Sequence, residues 1–478
     1  MNQFYVATAI PYVNAQPHLG HALLFTYGDV LARYQRQLGR NVVFSIGTDE
    51  HGGKVYDQAL NLNLDIRDFV DQNSRHFKIM AEKLQISYSH FIRTTNPSHI
   101  QAVQSAWQKM SQYIYQDIYE GWYCQGCEDY KTPTTVKDNQ GQCPDHKQAY
   151  KRLKETNYFF KLSVFADRLK ILIEKDQLKI VPQVAKNEIL SFLNSGLEDI
   201  SISRPTSSLK WGIHVPGDDQ QIIYVWFDAL LNYITVLDYP DGSKFKSHWP
   251  ADVQIIGRDI LRFHAVIWPA MLLALNLPVY KQLYVHGLVT VGGQKMSKTL
   301  GNVVDPLDLV NRYGLDAFRY FFLRHLPAYE NGDYSQGRFL AAYNNELVDQ
   351  LGNLIHRLQN LIWQKLDGKL PDNVQVDFFQ SDLESNYHQF IAKCRFDQAL
   401  NLIFKEIKEL NRYLELTKPW SIDNQDQVAE ILNRVAVNLK DLQRFLNPFL
   451  PETSQIIAEI FQSNPIKVLS QPPLTKIS

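Results

Sequence analysis

The sequence predicts an α/β protein whose parallel sheet is interrupted by a small polar insertion and followed by an all-helical region. Three observations support this prediction. Strand-like and helix-like segments alternate near the start of the chain and again after residue 250, a polar cysteine-containing stretch separates the two halves, and apolar residues recur at helical spacing after Gly337. A chain of 478 residues that is 45% hydrophobic is long enough to bury more than one core.

The opening of the chain reads as strand, helix and strand. Tyr5–Ile10 is an apolar, β-prone run, His18–Leu38 carries an apolar stripe at helical spacing, and Asn41–Ile46 is a second apolar run. This spacing is typical of a parallel βαβ unit, in which the ligand crevice lies at the carboxyl ends of the strands. We therefore expect Thr8–Asn14 and Gly47–Gly52 to face each other.

The same alternation resumes in the second half of the chain. Val253–Ile256 and Gln282–Val285 are predicted strands, and Leu261–Leu275 is a predicted helix between them. The pattern gives a Rossmann-like domain at 1–115 and 225–330, an insertion at 116–224 and a helical domain at 331–478.

The last third of the chain is predicted to be a helical bundle. Its leucines recur at helical spacing, as in Leu347, Leu351, Leu354, Leu358 and Leu361. The final dozen residues are rich in Pro, Ser and Lys, and we expect them to be loosely held.

Charge and hydropathy limit the classes of protein to which the sequence can belong. Lys plus Arg (49) almost equals Asp plus Glu (50), so that a surface for a polyanion must be a local basic patch. The start lacks a secretory signal, and no run reaches the roughly 20 apolar residues of a membrane span. We expect a cytoplasmic protein with no membrane partner.

The insertion carries a predicted zinc knuckle at about 120–150. Cys124-x-x-Cys127 is followed after fifteen residues by Cys143-x-x-His146, while Cys394 lies far away. Three thiolates and one imidazole form a closed tetrahedral set for one structural Zn²⁺ ion. The alternative is a scatter of buried cysteines without metal.

Two short polar motifs follow predicted strands. His18-Leu19-Gly20-His21 places two imidazoles at the start of a helix, where imidazole and helix donors can bind phosphate oxygens. Lys295-Met296-Ser297-Lys298-Thr299 follows two glycines, and its lysines could close over a triphosphate. Each motif alone has a structural alternative. The histidine pair could be a common structural pair, and the lysine motif could be a solvated loop.

Together the two motifs resemble the HIGH and KMSKS signatures of class I aminoacyl-tRNA synthetases. The departures, Leu19 and Thr299, are conservative and remove no charge or donor. Four longer segments are similar to methionyl-tRNA synthetases: Ala9-Ile10-Pro11-Tyr12-Val13-Asn14, Gly47-Thr48-Asp49-Glu50-His51-Gly52, Tyr224-Val225-Trp226-Phe227-Asp228-Ala229 and Gly257-Arg258-Asp259-Ile260-Leu261-Arg262-Phe263-His264.

The resemblance implies an ATP site and a set of catalytic residues. ATP enters with Mg²⁺, and Gly257 and Asp259 would touch its ribose. The residues implied in ATP binding are His18, Gly20, His21, Gly257, Asp259, Lys295, Ser297 and Lys298. The catalytic residues among them are His18, His21, Lys295 and Lys298.

The resemblance also implies a methionine pocket. A thioether needs aromatic and aliphatic walls, and a carboxylate is needed for the ammonium group, a role we assign to Asp49. The implied walls are Ile10, Tyr12, Trp226, Tyr233, Ile260 and His264. On periodicity alone, Trp226 and Tyr233, seven apart on one predicted helix face, could equally be core.

The helical region would then read a tRNA anticodon. Asn353 and Arg357 are four apart on one helix face, and Pro419-Trp420 follows another helix, where an indole can stack on an unpaired base. The resemblance matches these four residues to contacts with the CAU anticodon of tRNA(Met). Periodicity alone leaves Trp420 equally compatible with the bundle core.

Three rival functions are weighed against this one. An editing synthetase for another aliphatic amino acid would need a longer insertion than the segment between the two motifs provides. A small-molecule nucleotidyltransferase would not need the helical region, and a non-catalytic RNA-binding protein would not need intact His18, His21, Lys295 and Lys298. The expected protein is a monomer that uses ATP, L-methionine and tRNA(Met).

Overall fold

The structure is a computed structural model that describes residues 2–125, 129–131, 133–144, 147–296, 301–371, 379 and 381–477. The chain forms two compact units that alternate along the sequence. Unit 1 comprises residues 1–17, 39–82 and 87–285, and unit 2 comprises residues 18–38, 83–86 and 286–478.

The strands are, in chain order, β1 Gln3–Thr8, β2 Asn41–Thr48, β3 His90–Arg93, β4 Ile114–Cys124, β5 Asp129–Lys131, β6 Lys151–Phe160, β7 Lys179–Val181, β8 Ile200–Ser201, β9 Ser203–Pro205, β10 His214–Val215, β11 Asp218–Ile223, β12 Val253–Gly257, β13 Gln282–His286, β14 Val289–Val291, β15 Gln294–Lys295 and β16 Gly332–Tyr334.

The α-helices are, in chain order, α1 Leu19–Gln37, α2 Gly53–Asn61, α3 Ile66–Lys83, α4 Pro97–Lys109, α5 Pro133–Asp138, α6 Ala166–Glu174, α7 Gln183–Asn194, α8 Val225–Ala229, α9 Asn232–Thr235, α10 Ser243–His248, α11 Trp268–Ala274, α12 Pro306–Tyr313, α13 Leu315–Arg324, α14 Gln336–Ala342, α15 Asn353–Leu366, α16 Leu383–Ala392, α17 Phe396–Thr417, α18 Gln425–Leu446 and α19 Pro451–Ile460. Short 3₁₀ segments lie at Ser111–Tyr113, Leu162–Phe165, Arg258–Ile260 and Pro419–Ser421, and π-helical segments at Phe263–Ile267 and Tyr343–Gly352. None of the described helices is long and apolar enough to span a membrane.

Unit 1 is built around a six-stranded sheet in the order β3-β2-β1-β12-β13-β7. β1 pairs in parallel with β2 and β12, β2 pairs in parallel with β3, and β13 pairs in parallel with β7. Apart from their first residues, β1 and β2 are buried along their whole length. Continuous apolar strands are what a sheet covered on both faces requires. The predicted parallel α/β core is therefore confirmed.

Two smaller sheets complete unit 1. One has the order β5-β4-β6-β8 and is built on the long antiparallel pair of β4 and β6, and the other has the order β10-β11-β9. Apart from the first two residues of β4, the four-stranded sheet lies in the predicted insertion, 116–224. So does β7, which nevertheless joins the parallel sheet through β13. Three residues carry too little periodicity to indicate which sheet they join.

Unit 2 joins α1 to the C-terminal helices through a buried ion pair. Arg319 Nη2 lies 2.8 Å from Asp29 Oδ2, and both side chains are fully buried. Arg319 also donates to the carbonyl oxygens of Pro448 and Phe449, at 2.8 and 2.6 Å. Removing one member of a buried charged pair costs about 3–5 kcal/mol, because the other charge is then left buried without its partner.

One local prediction is confirmed and another is corrected by the structure. The predicted helix Leu261–Leu275 is confirmed, since the chain is helical from residue 261 to residue 274, and a π-helical segment precedes α11, where Pro269 lacks the amide hydrogen that a regular α-helix would use. The final residues are not loosely held: Tyr343 Oη donates to the Thr475 carbonyl at 3.1 Å, and the Asn344 amide bonds both backbone groups of Ile477. Asn can replace a strand partner in this way because its amide has both a donor and an acceptor.

Candidate active site

The loops that follow β1 and β2 meet at the carboxyl ends of these strands. The Asp49 amide donates to the Pro11 carbonyl at 2.8 Å, and the Val13 amide donates to the Asp49 carbonyl at 3.1 Å. Tyr12 therefore pairs with Asp49 in an isolated parallel bridge. The predicted meeting of the two segments is confirmed, and it brings Tyr12 and the buried Asp49 side by side.

Aromatic rings form a compact group around Trp226. Tyr12 meets the Trp226 ring edge-to-face at a centroid distance of 6.1 Å, and His264 does so at 6.2 Å. Phe263 stacks on Trp226 at 3.9 Å. The indole Nε1 of Trp226 is buried and has no hydrogen-bond partner among the residues that the structure describes. Such walls suit an apolar, polarizable side chain.

His264 is held in one tautomer. Its Nδ1 donates to the Ile260 carbonyl at 3.0 Å, so that its Nε2 accepts a hydrogen bond from the Tyr233 hydroxyl at 2.8 Å. Burial lowers the pKa of His264 to about 4, although the bond to Ile260 opposes this change. The ring is therefore neutral at physiological pH, and the Tyr233–His264 pair adds no charge to the group around Trp226.

Two expectations about these residues differ from the structure. Trp226 lies in α8 and Tyr233 in α9, which are separate short helices rather than one face of a continuous helix. Phe263 was not among the predicted wall residues, although it directly precedes His264 in the sequence. Ile10 is flanked by two residues whose backbones are hydrogen-bonded. The Ala9 amide donates to the Ile255 carbonyl, and the Pro11 carbonyl accepts from the Asp49 amide.

The loop after β2 is anchored by Glu50. The fully buried Glu50 carboxylate accepts two hydrogen bonds from Arg93, at 2.7 and 2.8 Å, and others from Thr48 and Thr95. The Trp211 indole donates to the Glu50 carbonyl at 2.6 Å. A carboxylate saturated in this way is a structural anchor, so that Glu50 itself is not a candidate partner for a ligand cation.

The predicted ribose contacts follow β12. Gly257 ends this strand and is buried, whereas Asp259 lies in the following 3₁₀ turn and is exposed. Both therefore lie at the carboxyl end of a central strand, which is where parallel α/β sheets bind ligands.

In unit 2, the predicted histidine pair caps α1. His18 Nδ1 accepts from the Gly20 amide at 3.1 Å, and His21 Nδ1 accepts from the His18 amide at 3.3 Å. The two rings stack at 3.8 Å. Burial and, to a smaller extent, the electrostatic effect of the neighbouring His18 lower the pKa of His21 well below its ordinary value. With each Nδ1 accepting, a neutral ring carries its hydrogen on Nε2, which gives two N–H donors at a helix N-terminus.

Gly20 is required by this capping arrangement. A Cβ atom at residue 20 would lie 2.9 Å from His18 Cε1 and 3.1 Å from His18 Nδ1. Any side chain at this position would therefore displace the His18 ring. The proximity of the His18 ring therefore accounts for glycine at this position.

The predicted lysine loop begins in a β-hairpin. β14 and β15 pair through a turn in which Gly292 and Gly293 have φ of +63° and +73°. The Asp333 carboxylate accepts from the Gly293 amide at 2.7 Å and from the Thr290 hydroxyl at 2.8 Å. The backbone of Lys295 belongs to β15, whereas Ser297 and Lys298 lie outside the described residues.

Two of the four predicted zinc ligands can be located. Cys124 and Cys143 are both 1% exposed and share a small buried cluster with Tyr150. Cys127 and His146 lie outside the described residues. The described residues contain no group of three candidate ligands, so the described part of the donor set is two buried sulfur atoms. Paired buried thiols fit a structural zinc site.

Two of the four predicted anticodon residues, Asn353 and Arg357, line a cavity of about 540 Å³ in unit 2, together with Asp349, Lys408 and Asn411, whereas Pro419 and Trp420 are not among the residues that line it. Asn353 is exposed at the start of α15 and donates to Asp349 Oδ1 at 3.4 Å. Arg357 donates to Asn411 at 3.0 Å and pairs with Glu415. Pro419 is buried, and Trp420 beside it is 40% exposed.

A family model described as tRNA synthetases class I (M) matches residues 4–152 and 146–359. Among curated relatives, the methionine–tRNA ligases of Caldanaerobacter subterraneus and Brucella suis are each 39% identical. The first alignment covers 95% of this chain and 73% of the relative, and the second covers 96% and 91%. A ligase of the same name from Thermotoga maritima is 37% identical over 96% of this chain and 75% of the relative.

Solved structures agree with these relatives. The structure of Mycobacterium tuberculosis methionyl-tRNA synthetase in complex with methionyl-adenylate superposes with a TM-score of 0.90 at 33% identity, covering 96% of this chain and 94% of that one. The free form of the same enzyme superposes with a TM-score of 0.84 at 29% identity, covering 100% and 99%.

Proposed function

The chain belongs to the class I tRNA synthetases and, within them, to the methionine–tRNA ligases, and we propose that it joins L-methionine to the 3′-terminal adenosine of tRNA(Met). In the first step a methionine carboxylate oxygen attacks the α-phosphorus of Mg²⁺-bound ATP, and pyrophosphate leaves. In the second step a ribose hydroxyl of the tRNA attacks the carbonyl carbon of the adenylate, and AMP leaves. Neither step needs a covalent nucleophile from the protein, so that positioning and charge stabilisation supply the catalysis.

One observation carries this proposal: a group of aromatic rings around Trp226 adjoins, through Tyr12, the buried Asp49 carboxylate at the carboxyl ends of the strands. Tyr12 and Trp226 supply walls for the thioether, the Tyr233–His264 pair closes the pocket without adding charge, and Asp49 accepts the ammonium group. Ile10 and Ile260 supply aliphatic wall. Because the rings of Trp226, Phe263 and His264 already contact one another, binding costs little reorganisation.

The phosphates require donors and cations. The Nε2–H groups of His18 and His21 and the N-terminus of α1 are suited to phosphate oxygens, and Lys295, Ser297 and Lys298 complete the set by resemblance. Positive charge at these positions stabilises the growing charge on pyrophosphate. By the same resemblance, Gly257 and Asp259 are assigned to the ribose.

The decisive experiment is exchange of labelled pyrophosphate into ATP with each of the twenty amino acids supplied singly. We expect exchange with methionine alone. Charging of tRNA(Met) by the same preparation then tests the second step. Exchange with another amino acid would overturn the pocket, and no exchange by folded protein would overturn the activity.

We assign anticodon recognition to Asn353, Arg357, Pro419 and Trp420. An exposed indole can stack on an unpaired base, while amide and guanidinium groups bond to base edges. The test compares charging of tRNA(Met) with charging of a transcript whose CAU anticodon is replaced. Wild-type protein should prefer CAU strongly, and an Asn353→Ala/Arg357→Ala double variant should lose most of this preference while retaining pyrophosphate exchange.

Three further features complete the proposal. A single structural Zn²⁺ held by Cys124, Cys127, Cys143 and His146 would stiffen the insertion, which elemental analysis of wild-type and Cys143→Ser protein would test. The Rossmann-type region at 1–115 and 225–330 is assigned to catalysis, 116–224 to the connective insertion and 331–478 to anticodon binding. The protein would act as a cytoplasmic monomer, which sedimentation and cell fractionation would test.

A further inference from the structure

A buried carboxylate in unit 1 joins two histidines that the mechanism above does not use. Asp228 is 1% exposed, and its Oδ2 lies 2.6 Å from His51 Nδ1. Its Oδ1 lies 2.8 Å from His99 Nε2, and His99 Nδ1 lies 2.7 Å from Thr235 Oγ1. His99 is fully buried and His51 is 4% exposed. The result is a continuous buried chain of four polar side chains.

The hydrogen positions follow from the charge of Asp228. Burial raises the pKa of this carboxyl, but His51 and His99 outweigh burial and lower it below its ordinary value. An ionised carboxylate only accepts hydrogen bonds, so that both His51 Nδ1 and His99 Nε2 donate to Asp228. Hydrogen bonds to an ionised acceptor are about twice as strong as neutral ones.

Three of these four hydrogen-bonded residues lie two positions after a proposed methionine-pocket residue in the sequence. His51 is on the same short loop as Asp49, two residues further on, and Asp228 is two residues beyond Trp226. Thr235 is likewise two residues beyond Tyr233. Asp228 thus ties the loop after β2 to the segment that contains α8 and α9. These two segments supply the ammonium partner and two of the aromatic walls.

We propose that Asp228 is a positioning residue for methionine, which holds the loop bearing Asp49 at a fixed distance from the segment bearing Trp226 and Tyr233. The inference rests on the proposed function and deepens it. A displacement of about 1 Å in a binding group can cost about 100-fold in rate. The displaced contacts are with methionine, so that its KM should rise while the KM for ATP should not.

The test measures pyrophosphate exchange by wild-type protein, Asp228→Asn and the control Asp316→Asn. Asp316 is also a buried acid, at 3% exposed, but it lies in unit 2 and accepts from the Thr453 amide, which asparagine can still satisfy. In Asp228→Asn we expect the KM for methionine to rise about 10-fold or more, with kcat within about threefold and the KM for ATP within about twofold of wild type. The control should keep all three values.

A second pair of variants covers the case in which Asp228→Asn does not fold. Thr235→Val removes the hydroxyl that orients His99, and Thr235→Ser keeps it. We expect the valine variant to raise the KM for methionine by about threefold and the serine variant to restore the wild-type value.

Several outcomes would overturn the positioning role. One is an unchanged methionine KM in folded Asp228→Asn or, if that variant does not fold, in Thr235→Val. Another is a parallel rise of both KM values with a fall in kcat, because a purely structural role damages both substrates alike. If wild-type protein shows no methionine-dependent exchange, the proposed function fails first, before any substitution is compared.

Discussion

The proposed methionine site and the proposed anticodon site differ in how far their side chains are buried and already in contact before a ligand binds. In unit 1, Asp49, Trp226 and His264 are each at most 9% exposed, and the ring contacts around Trp226 are already made. In unit 2, Asn353 and Trp420 are exposed, and the Arg357 side chain is 31% exposed and paired with an acid.

This difference matches the two proposed ligands. A small amino acid must be distinguished by shape, and a rigid, dry pocket provides that discrimination at little entropic cost. An RNA loop brings charges and unstacked bases, which replace partners that the free protein already holds. Exposed ion pairs contribute only about 0–1 kcal/mol, so that exchanging Glu415 for RNA at Arg357 costs little.

The largest expected effect is in the buried methionine site. Asp49→Asn removes the charge proposed to face the methionine ammonium group, and an unmatched buried charge costs about 3–5 kcal/mol. We expect kcat/KM for methionine in pyrophosphate exchange to fall by about 150- to 4,000-fold. The control is Asp65→Asn, in which an exposed helix cap is replaced by another capping residue. A value within threefold of wild type would show that Asp49 does not hold the substrate.

The next effect concerns stability. His264 has a folded-state pKa of about 4, below its ordinary 6.5, so between these values the unfolded chain takes up a proton that the folded protein does not. Stability should therefore fall as the pH drops from about 6.5 to 4, by up to about 3 kcal/mol from this residue. Urea unfolding at pH 7 and pH 4.5 should show a loss about 2 kcal/mol smaller in His264→Gln. Equal losses in both proteins would contradict a buried neutral imidazole.

A smaller effect is expected on the open side. Base stacking on an aromatic residue contributes about 1–3 kcal/mol, so that Trp420→Ala should lower kcat/KM for tRNA charging by about 5- to 150-fold and leave pyrophosphate exchange intact. Trp363 is a matched control, since it is similarly exposed at 38% and its indole donates to the Ile466 carbonyl. If Trp363→Ala impairs charging as strongly as Trp420→Ala, the stacking role is wrong.

The smallest effect comes from the edge of the anticodon cavity. Lys476 Nζ lies 2.9 Å from Asp349 Oδ2, and the two side chains are 61% and 36% exposed. We expect Lys476→Ala to change the free energy of unfolding by less than about 0.5 kcal/mol and charging by less than about threefold. Lys467→Ala, which breaks a similar exposed pair with Glu459, should behave alike. A loss of several kcal/mol in the free energy of unfolding of either variant would mean that these surface ion pairs stabilise the fold more than their exposure indicates.

Features encoded within a few neighbouring residues could be predicted from the sequence. β1, α1 and β2 lie within two residues of their predicted bounds because buried strands and an amphipathic helix have distinct periodicities. The meeting of Pro11 and Val13 with Asp49 followed from the rule that parallel strands present their carboxyl ends at one edge.

Features that depend on distant partners could not be predicted in this way. His51 and Asp228 are 177 residues apart in the chain, and neither carries a local signal of their hydrogen bond. Phe263 could have been included, because it lies within a segment already compared with relatives, but one apolar residue among several does not show which ring it stacks on. The attachment of the C-terminal residues likewise depends on Asn344, a single amide far from them in sequence.

The placement of α1 has a consequence for how such proteins can be recombined. This helix belongs to unit 2, although the segments on either side of it belong to unit 1. It carries His18 and His21 at one end, and Asp29 within it meets Arg319. A single crossover after residue 285 would therefore give the incoming helices a foreign α1 and a new neighbour for Arg319. Exchange of residues 286–478 between relatives would therefore require α1 to be exchanged with them. The two segments form one unit for recombination although they are separated in the gene.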